Sequence, residues 1–142
     1  MACCAGGNVG AVSFVGGRAV RCLIVDDSAD FRDAAGAMLG RAGFEVVAVA
    51  ADGADALRLA RELRPDVALV DVDLGGESGF DLAEELHHAD FDAPAVILVS
   101  TYAEQDLAEM IAVSPAVGFL SKLQLSGDAI RDLLASTAPR GR

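Results

Sequence analysis

The chain has 142 residues, enough for one domain around one core. Hydrophobic residues make up 53% and aromatics only 5%, so the interior must be built from Ala, Val, Leu and Ile. A formal charge of −11, with ten scattered arginines and one lysine, Lys122, argues against direct nucleic-acid binding.

The first segment, "MACCAGGNVGAVSFVGGRA", carries no charge before Arg18 and lacks the basic start of a secretory signal. No apolar stretch reaches the roughly 18 residues of a membrane span. The expectation is a cytoplasmic protein without a membrane partner, with residues 1–18 as a flexible extension. Cys3 and Cys4 lack a second pair or a nearby His, and Cys22 falls inside an apolar run. Neither a disulfide framework nor a zinc site is expected.

From Ala19 the pattern becomes regular. "AVRCLIV" predicts a strand. "SADFRDAAGAMLGRAG" has helical spacing at Phe31, Ala34, Ala35, Met38 and Leu39, with Ser28 as cap and Gly43 as stop. "FEVVAVA" is a second strand, and "GADALRLARELRP" a second helix closed by Pro65. "DVALVDV" is a third strand, followed by the loop "LGGESG" and the helix "FDLAEELHH". "PAVILVS", "EQDLAEMIAV", "VGFL" and "SGDAIRDLLAS" continue as strand, helix, strand and helix.

Strands that are apolar nearly throughout belong to a parallel sheet covered on both faces, so the predicted fold is a doubly wound α/β domain. Ligands of such sheets bind at the carboxyl ends of the strands. Asp26 and Asp27 follow the first strand, Asp71 ends the third, Ser100 ends the fourth and Lys122 follows the fifth.

Two adjacent acids after an apolar run require an explanation, because like charges repel and burial is costly. A hard divalent ion supplies one. Mg²⁺ prefers oxygen ligands, commonly one or two carboxylates with waters and a phosphate oxygen. One carboxylate is then free to act as nucleophile while the ion and a lysine neutralise a transferring phosphoryl group, with the Ser100 hydroxyl as donor.

The pieces "VDDS", "PDVALVDVDLGGESG", "VILVST" and "GFLSK" make residues 19–137 resemble a response-regulator receiver domain, the phosphoacceptor module of two-component signalling. Asp27 and Asp71 lie 44 residues apart, and Ser100 and Lys122 lie 22 apart, which fits that family. The resemblance implies a flavodoxin-like five-stranded parallel sheet in the order 2-1-3-4-5, helices on both faces, and a tail at 138–142. It implies that Asp71 accepts a phosphoryl group from a sensor histidine kinase and that Asp26, Asp27 and Asp71, with the carbonyl of Asp73, hold Mg²⁺. Lys122 would pair with Asp71 and later with the phosphoryl oxygens, Ser100 would swing toward them, and Phe119 would turn inward. The output would be a changed surface on helix four, strand five and helix five, read by a downstream protein partner, with self-association as a homodimer a further family expectation. Such a protein catalyses its own phosphorylation and dephosphorylation and turns over no metabolite.

Each residue also has an ordinary use. Asp71 can cap a loop, one of Asp26 and Asp27 can cap a helix, Lys122 can be a surface charge, Ser100 a turn residue and Phe119 core packing. His87 and His88 read as solvated polar residues. Gly75 stands where proline is frequent in the family, which loosens the loop. Leu123 stands where a cis proline is usual, and a cis bond before leucine costs about 3 kcal/mol. Either the site enforces that bond, or it is trans and the lysine sits differently. Asp73 and Tyr102 occupy positions that modulate phosphoryl lifetime in the family, the second as a shield. "GFLSK…LS" resembles receivers that precede helix-turn-helix domains, whereas "TAPRGR" follows the last helix here. Two readings compete with a phosphate switch. One is an interaction module that keeps the fold without phosphorylation. The other is a small flavoprotein, which the acidic "DDSADF" loop disfavours by repelling the flavin phosphate.

Overall fold

The computed structural model describes residues 14–15 and 18–137. Five strands, β1 (Arg21–Val25), β2 (Glu45–Ala50), β3 (Val67–Asp71), β4 (Ala95–Ser100) and β5 (Gly118–Ser121), form one parallel sheet in the order β2-β1-β3-β4-β5. The expected 2-1-3-4-5 order is the observed one. Between them run α1 (Ala29–Arg41), α2 (Gly53–Leu63), α3 (Gly79–His87) and α4 (Ala108–Val113), and α5 (Gly127–Thr137) follows the last strand.

Alternation along each strand sorts the core into two layers. Leu23, Val25, Ala68, Val70, Val96 and Leu98 face α2 and α3, meeting Ala56, Ala60, Phe80, Ala83 and Leu86. Their neighbours Cys22, Ile24, Val67, Leu69, Ile97 and Val99 face the opposite way, against Ala35, Leu39 and Ile130 of α1 and α5. The central strands are therefore buried on both faces, which is why they lack polar alternation. Trimming one of these fully buried side chains, as in Leu69→Ala, costs about 2–5 kcal/mol.

The helix starts follow local chemistry. Ser28 Oγ accepts the Phe31 amide at 3.2 Å, and Asp52 Oδ1 accepts the Asp55 amide at 2.9 Å. Arg64, in the left-handed region at φ 51°, closes α2 just before Pro65.

Two expectations need correction. Ala34 faces solvent, because the stripe of α1 that meets the sheet is narrower than its small residues suggested. The fourth helix does not run from 104 to 113. Residues Glu104–Leu107 form a 3₁₀ turn, since Ala103 offers no capping side chain, and only Ala108–Val113 is α-helical. Ahead of β1, Phe14–Val15 pairs antiparallel with Arg18–Ala19. Cys3, Cys4 and the tail at 138–142 lie outside the described residues. No helix among the described residues is long and apolar enough to cross a membrane.

Candidate functional site

The sheet register brings the polar strand ends together. Val25 pairs with Val70, Asp71 with Val99 and Ser100 with Ser121, so Asp26, Asp71, Ser100 and Lys122 share one rim. Carboxylate oxygens of Asp26, Asp27 and Asp71 all lie within 4.8 Å of one another.

Asp26 is fully buried. Its Oδ1 accepts the Ser28 amide at 2.8 Å, and its backbone carbonyl accepts Arg32 Nη1 at 2.7 Å. Its Oδ2 has no hydrogen bond of sound geometry, only the ionic contact of Lys122 Nζ at 2.7 Å. Lys122 also donates to Asp71 Oδ2 at 3.2 Å, while Asp71 Oδ1 accepts the Asp73 amide at 3.1 Å. Asp27 is exposed and leans toward the β3–α3 loop.

Burial pushes the Asp71 carboxyl above the ordinary carboxylate range, and the Asp26 charge adds to this; the Asp73 amide and Lys122 oppose it. Burial alone would lower the Lys122 ammonium, but contact with the Asp26 and Asp71 carboxylates outweighs it and holds Lys122 above the ordinary lysine value. The Cys22 thiol, pushed up to about 12 mainly by burial and then by Asp66, is chemically inert.

The three clustered carboxylates and the one ammonium that contacts two of them carry a formal net charge of −2. A divalent cation cancels that charge, and an all-oxygen donor set whose buried Asp26 Oδ2 is met by the Lys122 ammonium rather than by a backbone donor suits Mg²⁺.

The remaining expected residues fall as follows. The Asp73 side chain is turned away, its Oδ1 accepting the Gly75 amide at 3.1 Å. Ser100 is buried, with its Oγ accepting the Tyr102 amide at 2.9 Å. Phe119 is buried in the α2–α3 layer of the core. Tyr102, anticipated as a shield, is 56% exposed. His87 and His88 lie on the exposed end of α3. The described residues contain no cis peptide bond, so Lys122–Leu123 is trans, and the lysine still reaches both acids.

Residues 22–134 match the family model described as the response regulator receiver domain. The chain belongs to this family.

The receiver is 34% identical over 102 residues to the transcriptional regulatory protein PdtaR of Mycobacterium tuberculosis, a match covering 72% of the chain and 49% of PdtaR. It is 33% identical over 120 residues to the response regulator GacA of Pseudomonas aeruginosa, covering 82% of the chain and 56% of GacA. It therefore spans about half the length of these relatives. Among solved structures, the signal receiver domain of NarL from Mycobacterium tuberculosis superposes with a TM-score of 0.74 at 29% identity, over 88% of this chain and 99% of that one. A LuxR-family response regulator from Aurantimonas sp. SI85-9A1 gives 0.74 at 27% identity, over 86% and 87%.

Several parts of the site escaped sequence reasoning. Phe31 faces Lys122, with the ammonium 4.3 Å from the ring centroid, although its helical spacing marked it only as core. Gly79 lets α3 start against the backbone of Asp71: a Cβ there would lie 2.1 Å from the Asp71 carbonyl oxygen. Glu77 Oε1 accepts the Gly53 amide at 2.8 Å, tying the loop after Asp71 to the start of α2 across 24 residues. For the glycine, its place one residue before the helix predicted at Phe80 was a usable signal. For Glu77 there was none.

Proposed function

We propose that this receiver accepts a phosphoryl group on Asp71 from the phosphohistidine of a sensor histidine kinase, with Mg²⁺ bound by Asp26, Asp27, Asp71 and the carbonyl of Asp73. The observation that carries the reading is the meeting of three carboxylates and the chain's single lysine at one strand-end rim.

Asp71 supplies the nucleophile. One of its carboxylate oxygens attacks phosphorus, a P–O bond forms, the P–N bond to the kinase histidine breaks, and that nitrogen keeps the electron pair. Lys122, already 3.2 Å from Asp71 Oδ2, is in reach of the new phosphoryl oxygens without crossing the site. Bound Mg²⁺ would neutralise negative charge on the transferring group. Asp26 and Asp27 would supply carboxylate oxygens to hold it. Ser100 would donate its hydroxyl proton to the phosphoryl oxygens, and because its Oγ accepts the Tyr102 amide, a movement of Ser100 would carry to the β4–α4 connection. That connection is a 3₁₀ turn leading into a six-residue helix with no buried residue, an element with few contacts to lose. A changed α4–β5–α5 surface, read by a downstream protein, is the consequent output.

Intact mass after incubation with acetyl phosphate tests this. A gain of about 80 Da, one phosphoryl group, that requires both Mg²⁺ and Asp71 is expected. No adduct and no fluoroberyllate complex on folded, Mg²⁺-binding protein would sink the phosphate switch and leave an interaction module.

A further inference from the structure

Lys122 is held from two directions. Its ammonium faces the Asp26 and Asp71 carboxylates at 2.7 Å and 3.2 Å on one side, and the Phe31 ring at 4.3 Å from the centroid on another. A cation within about 6 Å of an aromatic centroid is drawn to the negative face of the ring, more strongly as water is excluded. Only 16% of the Lys122 side chain is exposed.

The ring itself is fixed. Phe31 stands in the first turn of α1, its amide donates to the capping hydroxyl of Ser28, and its side chain packs against the α1–α5 layer of the core. The next residue, Arg32, ties the same turn to the carbonyl of Asp26. On the other side of the lysine the backbone is held by a single cap, Ser121 Oγ accepting the Leu123 amide at 3.2 Å. Leu123 is 91% exposed and Lys122 opens a three-residue 3₁₀ turn. Among the partners of the ammonium, Phe31 alone is uncharged, so it does not compete for a divalent ion.

We propose that Phe31 is a positioning residue for Lys122, its ring holding the ammonium over the rim while the carboxylates engage a metal ion or phosphoryl group. This role rests on the phosphoacceptor reading, and on the geometry of the ring and the ammonium. Leucine or methionine at position 31 fills much of the same space but has no quadrupole to offer the cation. Tyrosine keeps it.

Because Lys122 is the chain's only lysine, protein labelled with isotopic lysine gives a single set of side-chain resonances. In Mg²⁺-free full-length protein, the Lys122 ε-methylene should lie upfield of free lysine through the ring current. It should move back in Phe31→Leu and stay upfield in Phe31→Tyr. With Mg²⁺ present, fluoroberyllate should bind Phe31→Leu about three- to tenfold more weakly than wild type. Phe31→Tyr should restore the affinity, and Mg²⁺ alone should bind all three alike. If Phe31→Leu does not fold, Phe31→Met carries the same expectations. An unshifted ε-methylene in the wild type, or a leucine variant matching wild type in fluoroberyllate affinity, overturns the proposal. A wild type that keeps the upfield resonance but binds no fluoroberyllate overturns the phosphoacceptor reading instead; the Phe31–Lys122 contact then stands and its use in phosphoryl chemistry falls.

Discussion

The Lys122 ammonium lies closer to Asp26 than to Asp71, 2.7 Å from Oδ2 of the first against 3.2 Å from Oδ2 of the second. Asp26 is the fully buried member of the pair, so without a metal ion its neutralisation depends on this contact. Removing one partner of a buried ion pair typically costs about 3–5 kcal/mol, because the other charge is left stranded. In chelator, Lys122→Met should therefore lose about 3 kcal/mol of stability in urea unfolding. Mg²⁺ should restore a larger share of stability to the variant than it adds to wild type. Equal stability of both proteins in chelator would mean that Asp26 is not relying on the lysine.

Asp71 imposes the opposite effect on the fold. Its carboxyl is raised by burial and by Asp26, so the native state keeps that proton to higher pH than the unfolded chain does. Stability is thus lost as pH rises from the ordinary carboxylate value through the raised one, and the full penalty applies above. Asp71→Asn should be more stable than wild type at neutral pH without Mg²⁺, by about 1 kcal/mol, a few degrees in Tm. The difference should vanish on acidification below the ordinary carboxylate value. Lys122 carries the alkaline counterpart. Its raised value supplies stability that is complete below the ordinary lysine pKa and lost as pH rises through the raised one. Thermal melts across pH check both slopes; an Asp71→Asn advantage that grows in acid would contradict the first.

Two glycines should respond in opposite directions to alanine. At Gly79 a Cβ would meet the Asp71 carbonyl oxygen at 2.1 Å, so α3 would have to move away from the strand that carries the nucleophile. A loss of about 3 kcal/mol or more, with weaker fluoroberyllate binding, is expected. Gly36, inside α1, has open space where its Cβ would be, so alanine there should add about 1 kcal/mol through helix propensity. Chemical denaturation of the two variants separates them, and a tolerant Gly79→Ala would show that the close approach is dispensable.

The glycine at 75 couples the β3–α3 loop to Asp27. It adopts φ +66°, and a Cβ there would come within 2.7 Å of Asp27 Oδ2. Gly75→Ala should displace that carboxylate and strain the loop, weakening Mg²⁺ about tenfold by calorimetric titration. The backbone strain adds roughly 1–2 kcal/mol of instability. Unchanged Mg²⁺ affinity would remove Asp27 from the proposed ligand set.

Ion removal supplies a further check on the proposed site as a whole. At a free Mg²⁺ concentration ten times its Kd, wild type should gain about 1.4 kcal/mol over its stability in chelator. Asp26→Asn should gain much less, since a neutral amide replaces one of the three carboxylates at the site. A wild type indifferent to Mg²⁺ would place the three carboxylates outside metal chemistry.

Much of this receiver is set by the sequence itself. Strands buried on both faces must be apolar throughout, helices must carry a one-sided stripe, and a polar residue ending such a strand stands out against both patterns. Those signals are local, so Asp26, Asp27, Asp71, Ser100 and Lys122 were legible at the rim before any contact was known, and the strand order followed from the family resemblance. The tertiary structure alone decided what depends on register and on side-chain direction. It put Lys122 closer to Asp26 than to Asp71, laid Phe31 under the ammonium, and turned the Ser100 hydroxyl toward Tyr102. It also joined Glu77 to Gly53 and shortened the fourth helix. None of these has a sequence period, because each arises where elements distant in the chain meet, and the atoms that meet are chosen by packing.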